Sequence, residues 1–316
     1  MKLALGQSVQ YAKERQQFGQ PIANFGLIKQ KLAEMAARAY VGEAVLYRTL
    51  GMIDDALERA DKDDARQVLS VLEQYAIECS IIKVWESEAL GYVVDEQVQV
   101  YGGYGYSKDY PAERAYRDAR IARIYEGTNE INRIVIATQL LRRSKAGELP
   151  LLDAAECVLK GADQSHDTMA LSVANIAFTD EVTMVRRAKA MTLGAIGKVA
   201  HTYGDRARDE QEALGLISDM VMDVYAAESA LLRTQKLMLA RGQQAVPVQS
   251  DITRVFVREA MMRIERAARL IATETADEDA DGAALIDEQI HRAPIKMIAA
   301  RRRIADAVIA AGKYNL

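Results

Sequence analysis

Apolar residues recur at steps of three and four along much of this chain, and that spacing limits what it can fold into more than any other feature. Ile28, Leu32, Met35, Ala36 and Tyr40 fall on one face of a helix, and Val68, Leu72, Tyr75, Ala76, Cys79 and Ile82 keep the same period. In the second half, Leu214, Ile217, Val221, Val224 and Leu231 form one stripe, and Ile252, Phe256, Ala260 and Ile264 another. Five prolines in 316 residues permit long helices, and strand-like alternation is hard to find. The punctuation places the ends. A first helix runs from Met1 to about Gln17 and stops at Phe18-Gly19-Gln20-Pro21. A second opens near Asn24, a good N-cap residue, and reaches about Asp55, with Asp54 to Asp64 as an exposed turn. A third runs from about Ala65 to Tyr101, where Gln99 to Tyr106, with three glycines, breaks the period. After the charged segment Pro111 to Arg120, a fourth runs from Asn129 to Arg143 with Thr128 as its N-cap. The expected fold is all-α: a four-helix bundle in residues 1–149, a boundary at Ser144 to Pro150, and a second helical bundle in residues 150–316, with essentially no sheet. Thr273 to Gly282 reads as an exposed acidic loop, and a last helix covers about Ala293 to Ala311.

Bulk properties narrow the function classes. Hydrophobic residues are 50% and charged residues 27%, as in a globular protein with a sizeable core. A net charge of -4 gives no footprint for nucleic acid. No run of eighteen apolar residues appears, and Met1 to Tyr11 lacks the apolar stretch of a signal peptide. Cys79 and Cys157 read as reduced core thiols in a cytosol-like compartment. His166, His201 and His291 have no metal-ligand spacing, so no metal site is expected.

One constellation carries chemistry. Glu126 sits between a tyrosine and a glycine just before a helix N-terminus. By position alone it is a base, a cation ligand, or a helix-entry carboxylate that favours the macrodipole. Arg15 by itself is a solvated helix arginine or a phosphate-binding one. Three segments then change the weighing. Glu14-Arg15-Gln16-Gln17-Phe18-Gly19-Gln20-Pro21-Ile22, Gln99 to Tyr106, and Arg117 to Arg133 resemble three signatures of the acyl-CoA dehydrogenase family, in its order and at about its spacing. The resemblance covers residues 1 to about 143. The second half is more loosely similar to the extra helical domain of the very-long-chain branch, which Asn24-Phe25-Gly26-Leu27-Ile28 also resembles.

The resemblance implies an FAD-dependent α,β-dehydrogenation of an acyl-CoA thioester, long-chain by its branch, to a trans-2-enoyl-CoA. It implies Glu126 as the base for the α-proton and Gly127 against the substrate. The thioester carbonyl must be polarised as charge develops, and desolvation suits a carboxylate to this work. Arg15 and Phe18 correspond to the residues that reach the FAD of a neighbouring subunit. Gln99, Val100, Tyr101, Gly102 and Gly103 match the glycine-turn segment along FAD. Thr128, Asn129 and Glu130 match the segment after the base, where backbone donors at a helix N-terminus serve the cofactor. Tyr104 and Tyr106 read as packing residues, and Arg117, Asp118 and Arg120 as an ion-pair network. The resemblance further implies electron-transferring flavoprotein as acceptor, a homodimer, and a cytoplasmic or mitochondrial-matrix location.

Two departures matter. Many members carry glutamine at the flavin-contacting position held here by Gly26. The family's N-terminal helical and middle β domains have no counterpart in these residues, which read as a fragment, a split-gene product or a truncated gene prediction. The alternative reading is a non-catalytic helical scaffold for assembly or membrane docking. Its best feature is the basic cluster Arg301-Arg302-Arg303 with Lys296, worth about 1 kcal/mol per basic residue at an anionic surface, against a solvated helix face.

Overall fold

The structure, a computed structural model, describes residues 1–161, 177–276 and 294–316. Among these it contains eleven α-helices: α1 Lys2–Glu14, α2 Gly26–Arg59, α3 Ala65–Gln74, α4 Ala76–Tyr101, α5 Pro111–Arg120, α6 Asn129–Lys145, α7 Leu151–Leu159, α8 Thr179–Tyr203, α9 Gln211–Arg241, α10 Pro247–Glu274 and α11 Met297–Ala311. The only strands among the described residues are β1 Gln16–Gln17 and β2 Gln20–Pro21, a minimal antiparallel hairpin. The all-α expectation holds.

α2, α9 and α10 bury the stripes their periods announce. In α2, Leu32, Met35, Ala36 and Tyr40 are fully buried; in α9, Leu214, Ile217 and Leu231; in α10, Ile252, Ala260 and Ile264 nearly so. Each large apolar side chain removed from water contributes about 1.5–3 kcal/mol. The first-half helices α1, α2, α4 and α6 pack on one another, and α8, α9 and α10 form the second group with α11 against α10. The two groups share a core. α9 lies against both α2 and α6, α11 lies against α2, and the largest apolar cluster joins Leu5, Tyr40 and Val93 to Leu231, Ile252 and Ile304.

Several boundaries differ from the sequence reading. α1 ends at Glu14, because Gln16 to Pro21 turn back as the hairpin. Asn24 is not an N-cap; it ends a short 3-10 turn, and Phe25 precedes α2. α2 runs on to Arg59 through residues read as a turn. The third helix is two, divided at Tyr75, whose hydroxyl donates to the Met52 carbonyl of α2 (3.1 Å). Past that break the buried face shifts to Ile77, Ile81 and Val84, leaving Leu72 and Cys79 exposed. Cys157 is exposed too, so neither cysteine is a core thiol. The charged segment from Pro111 is itself a helix, with proline in its first turn. Thr128 does cap α6, accepting from the Ile131 N–H (3.3 Å). Thr273 and Glu274 are still helical; the rest of the acidic stretch beyond Ala276, His166, His291 and the expected helix start at Ala293 lie outside the described residues.

Candidate active site

The residues singled out above fall into two groups at different places on α4. The first surrounds the hairpin. Phe18 (φ 51°) and Gly19 (φ 79°) form its two-residue tip, both left-handed, as a tight hairpin turn requires. The tip thrusts the Phe18 ring into solvent, 92% exposed, with only an edge contact to Phe25 (6.1 Å between centroids). Behind it a groove of about 530 Å³ is lined by Arg15, Tyr11, the end of α4 at Val100 and Tyr101, and the turn after it from Gly102 to Tyr104. The Arg15 guanidinium lies over the Tyr104 ring at 5.6 Å. Gly102 ends α4 at φ 60°, and neither it nor Gly103 has a side chain to cover the backbone beside the groove.

Within this group the roles divide. Val100 is buried in the core. Tyr101 stacks on Tyr11 (4.1 Å), and its hydroxyl donates to the Gln7 carbonyl (3.4 Å). Gln99, Gly102 and Gly103 are open to a ligand, with Arg15 half-buried among them. Tyr104 is partly exposed against Tyr110 (5.0 Å). Tyr106 does not pack as expected: it is 86% exposed.

The second group is the loop before α6. Glu126 is exposed and adopts φ 55°, a left-handed conformation that side-chain-bearing residues rarely take. Gly127 follows at φ 80°. Its carbonyl accepts from the Lys83 ammonium (2.6 Å) and from Asn132 Nδ2 (3.0 Å). Lys83 also donates to Asn129 Oδ1 (2.7 Å), and Asn129 Nδ2 donates to Ser87 Oγ (3.0 Å) and Glu88 Oε1 (3.1 Å). Glu88 in turn takes both arms of Arg133 (2.7 and 2.9 Å). Burial works against the Arg133 charge, but Glu88 and Asp219 outweigh it and hold the guanidinium more basic than usual. The Glu130 carboxyl is held below its ordinary range by its own backbone N–H and then by the Thr128 hydroxyl. Around Glu126 the sequence supplies apolar side chains, and Ile121, Ile124, Tyr125 and Ile131 are each about half exposed.

The two groups do not meet. Lys83 and Ser87 hold the Glu126 loop, while the groove lies past Tyr101, about 20 Å along α4 at 1.5 Å per residue. The resemblance gives Asn129 a cofactor contact through the backbone; its side chain is only 2% exposed and is spent inside the network. Sequence reasoning missed Lys83, Ser87, Glu88 and Asp219. The first three share one face of α4 by spacing, but only the fold shows that α6 lies across that face.

Two family models, both described as acyl-CoA dehydrogenase, C-terminal domain, match residues 1–141 and 187–286, between them most of the chain. The chain belongs to the acyl-CoA dehydrogenase family. A probable acyl-CoA dehydrogenase of Bacillus subtilis is 39% identical over 314 residues, 98% of this chain and 52% of that protein. The crystal structure of an acyl-CoA dehydrogenase complexed with FAD from Bacillus anthracis superposes with a TM-score of 0.93 at 38% identity, covering 100% of this chain and 54% of the other. A caffeyl-CoA reductase–Etf complex subunit of Acetobacterium woodii is 36% identical over 140 residues, 44% of this chain and 33% of its own length. This family member thus spans about half the length of the Bacillus relatives that it matches along its whole length.

In the basic cluster Arg302 and Lys296 are exposed, while the other two arginines are paired. Arg301 pairs with Glu259 and Glu34, and Arg303 makes a two-armed pair with Asp251 (2.7 Å each).

Proposed function

We propose that this chain supplies the catalytic-base half of an FAD-dependent acyl-CoA dehydrogenase that converts an acyl-CoA thioester, long-chain by the resemblance of the second half, to the trans-2-enoyl-CoA. The observation that carries this reading is Glu126, a carboxylate in a strained left-handed backbone, open to solvent, on a loop fixed from below by Lys83 and Asn132. Strain of this kind persists where surrounding contacts over-determine it, and it gathers at working sites.

Glu126 takes the α-proton of the thioester. Gly127 takes φ 80°, a backbone that glycine adopts freely, and so lets the chain turn directly beside Glu126. The half-exposed Ile121, Ile124, Tyr125 and Ile131 supply apolar surface that sheds water once substrate covers it. The positive end of the α6 dipole faces this loop, which favours negative charge developing there. When bound, FAD supplies the acceptor for the hydride that leaves Cβ.

The residues of the groove fit one part of such a cofactor. The Arg15 guanidinium offers forked donors to a pyrophosphate, Gly102 and Gly103 let backbone approach it, and the Phe18 ring offers a face for stacking. Their separation from Glu126 and the outward thrust of Phe18 support the reading that they serve the cofactor of a second subunit. A relative named for a complex with Etf supports electron-transferring flavoprotein as the onward acceptor. The test is Glu126→Gln in flavin-loaded protein. Flavin and acyl-CoA binding should survive and reduction by substrate should fall roughly 10²–10⁴-fold, the usual share of a general base. Reduction at the parent's rate would reject the assignment.

A further inference from the structure

The loop that carries Glu126 is tied to the second half of the chain. Asp219 and Ser218, neighbours on α9, both grip Arg133 of α6. Asp219 Oδ1 accepts from Arg133 Nε (2.7 Å), and the fully buried Ser218 hydroxyl donates to the Arg133 carbonyl (2.6 Å). Arg133 spends its other two nitrogens on Glu88, Glu88 accepts from Asn129, and Asn129 shares the Lys83 ammonium with the Gly127 carbonyl. Every link is a charge-assisted or buried hydrogen bond of 2.6–3.1 Å, and Arg133, Glu88, Asn129 and Lys83 are each committed on two sides. Such networks are rigid when every member is satisfied.

We propose that Ser218 and Asp219 are positioning residues for Glu126: through Arg133, Glu88, Asn129 and Lys83 they let the second helical region hold the base loop in its left-handed conformation. The geometry gives the reason. Glu126 at φ 55° would relax to an ordinary backbone if the Gly127 carbonyl were released. Lys83 shares that carbonyl with Asn132 Nδ2, and its ammonium is fixed by Asn129 Oδ1, which Ser87 and Glu88 orient in turn. Glu88 is half-exposed on α4 and would turn to solvent without Arg133. Arg133 is steered by α9. The second region therefore contributes to the site itself. The functional part of this inference rests on Glu126 being the base; the mechanical part does not.

Hydrogen–deuterium exchange on this chain separates them. The reporters are the Ile131 and Asn132 amides, which donate to Thr128 Oγ1 and Thr128 O at the start of α6. Asp219→Asn and Lys83→Met should each speed exchange there by about tenfold or more, the worth of a hydrogen bond to a charged group. Asp219→Glu, which keeps the charge, should recover most of the protection. Amides in the α10 core, Ile252 to Ile264, should not change. Should Asp219→Asn fail to fold, Ser218→Ala removes only one hydroxyl and should act in the same direction. Unchanged exchange at Ile131 and Asn132 in a folded Asp219→Asn or Ser218→Ala chain would overturn the proposal. Faster exchange in these variants, beside flavin reduction indifferent to Glu126→Gln, would leave the relay standing and remove the base reading alone.

Discussion

A glutamate at φ 55° costs about 1–2 kcal/mol relative to an ordinary helical or extended residue, and glycine would take the same backbone freely. Nothing in packing calls for a carboxylate there, since the side chain is exposed. The position is therefore one where function and stability pull apart. Glu126→Gly should raise the unfolding free energy by about 1 kcal/mol while removing the base. Thermal and denaturant unfolding check the first part; a loss of stability would mean that the Glu126 side chain makes contacts the structure does not contain. Phe18 shares the pattern of positive φ and an exposed side chain, which marks both residues as placed for something outside the fold.

At the level of elements, α2 and α4 carry the most unusual contact. Gly42 of α2 faces Glu86 of α4 so closely that a Cβ there would stand 2.6 Å from Glu86 Oε1. That oxygen is buried without a hydrogen-bond partner among the described residues. Burial pushes the Glu86 carboxyl up to about 7; the Met1 amino group opposes the shift and Glu43 adds to it. The native state then holds a proton that the unfolded chain, near 4.5, has already lost. Stability attached to this group is full below about pH 4.5, falls as the pH rises through about 7, and stays lost above it. The shift corresponds to about 3 kcal/mol. Glu86→Gln should recover most of that at pH 8 and nothing at pH 4.5, measured by urea unfolding at both; equal effects at the two would contradict the assignment. Most of the element plan was legible in the sequence, because amphipathic stripes in α2, α9 and α10 need only period. What escaped it depends on neighbours. The division at Tyr75 follows from a bond to α2, so the apolar period read across it gave the wrong face for Leu72 and Cys79. The hairpin at Gln16 to Pro21 was readable as a stop and not as two strands. At the site, the motifs led to Glu126, Gly127, Arg15 and the glycines, while Lys83, Glu88 and Asp219 became visible only once α4, α6 and α9 were side by side.

For the whole molecule, one apolar core joins the two helical groups, and a line of hydrogen bonds crosses from α9 to the Glu126 loop. The groove at Arg15 and the loop at Glu126 lie about 20 Å apart along α4 and do not form one closed pocket. Flavin-loaded protein should accordingly be a homodimer in light scattering, with Arg15 and Phe18 of one subunit at the cofactor of the other; a flavin-loaded monomer would contradict this. The chain by itself should bind FAD weakly, since these residues form one wall of a site. The central claim is that Glu126 removes the α-proton, and solvent exchange at Cα measures that step apart from hydride transfer. An acyl-CoA bound to the flavin-loaded protein in deuterium oxide should take up deuterium at Cα, and Glu126→Gln should slow that uptake roughly 10²–10⁴-fold with the thioester still bound. Uptake at the parent's rate in the Gln variant would show that another group is the base.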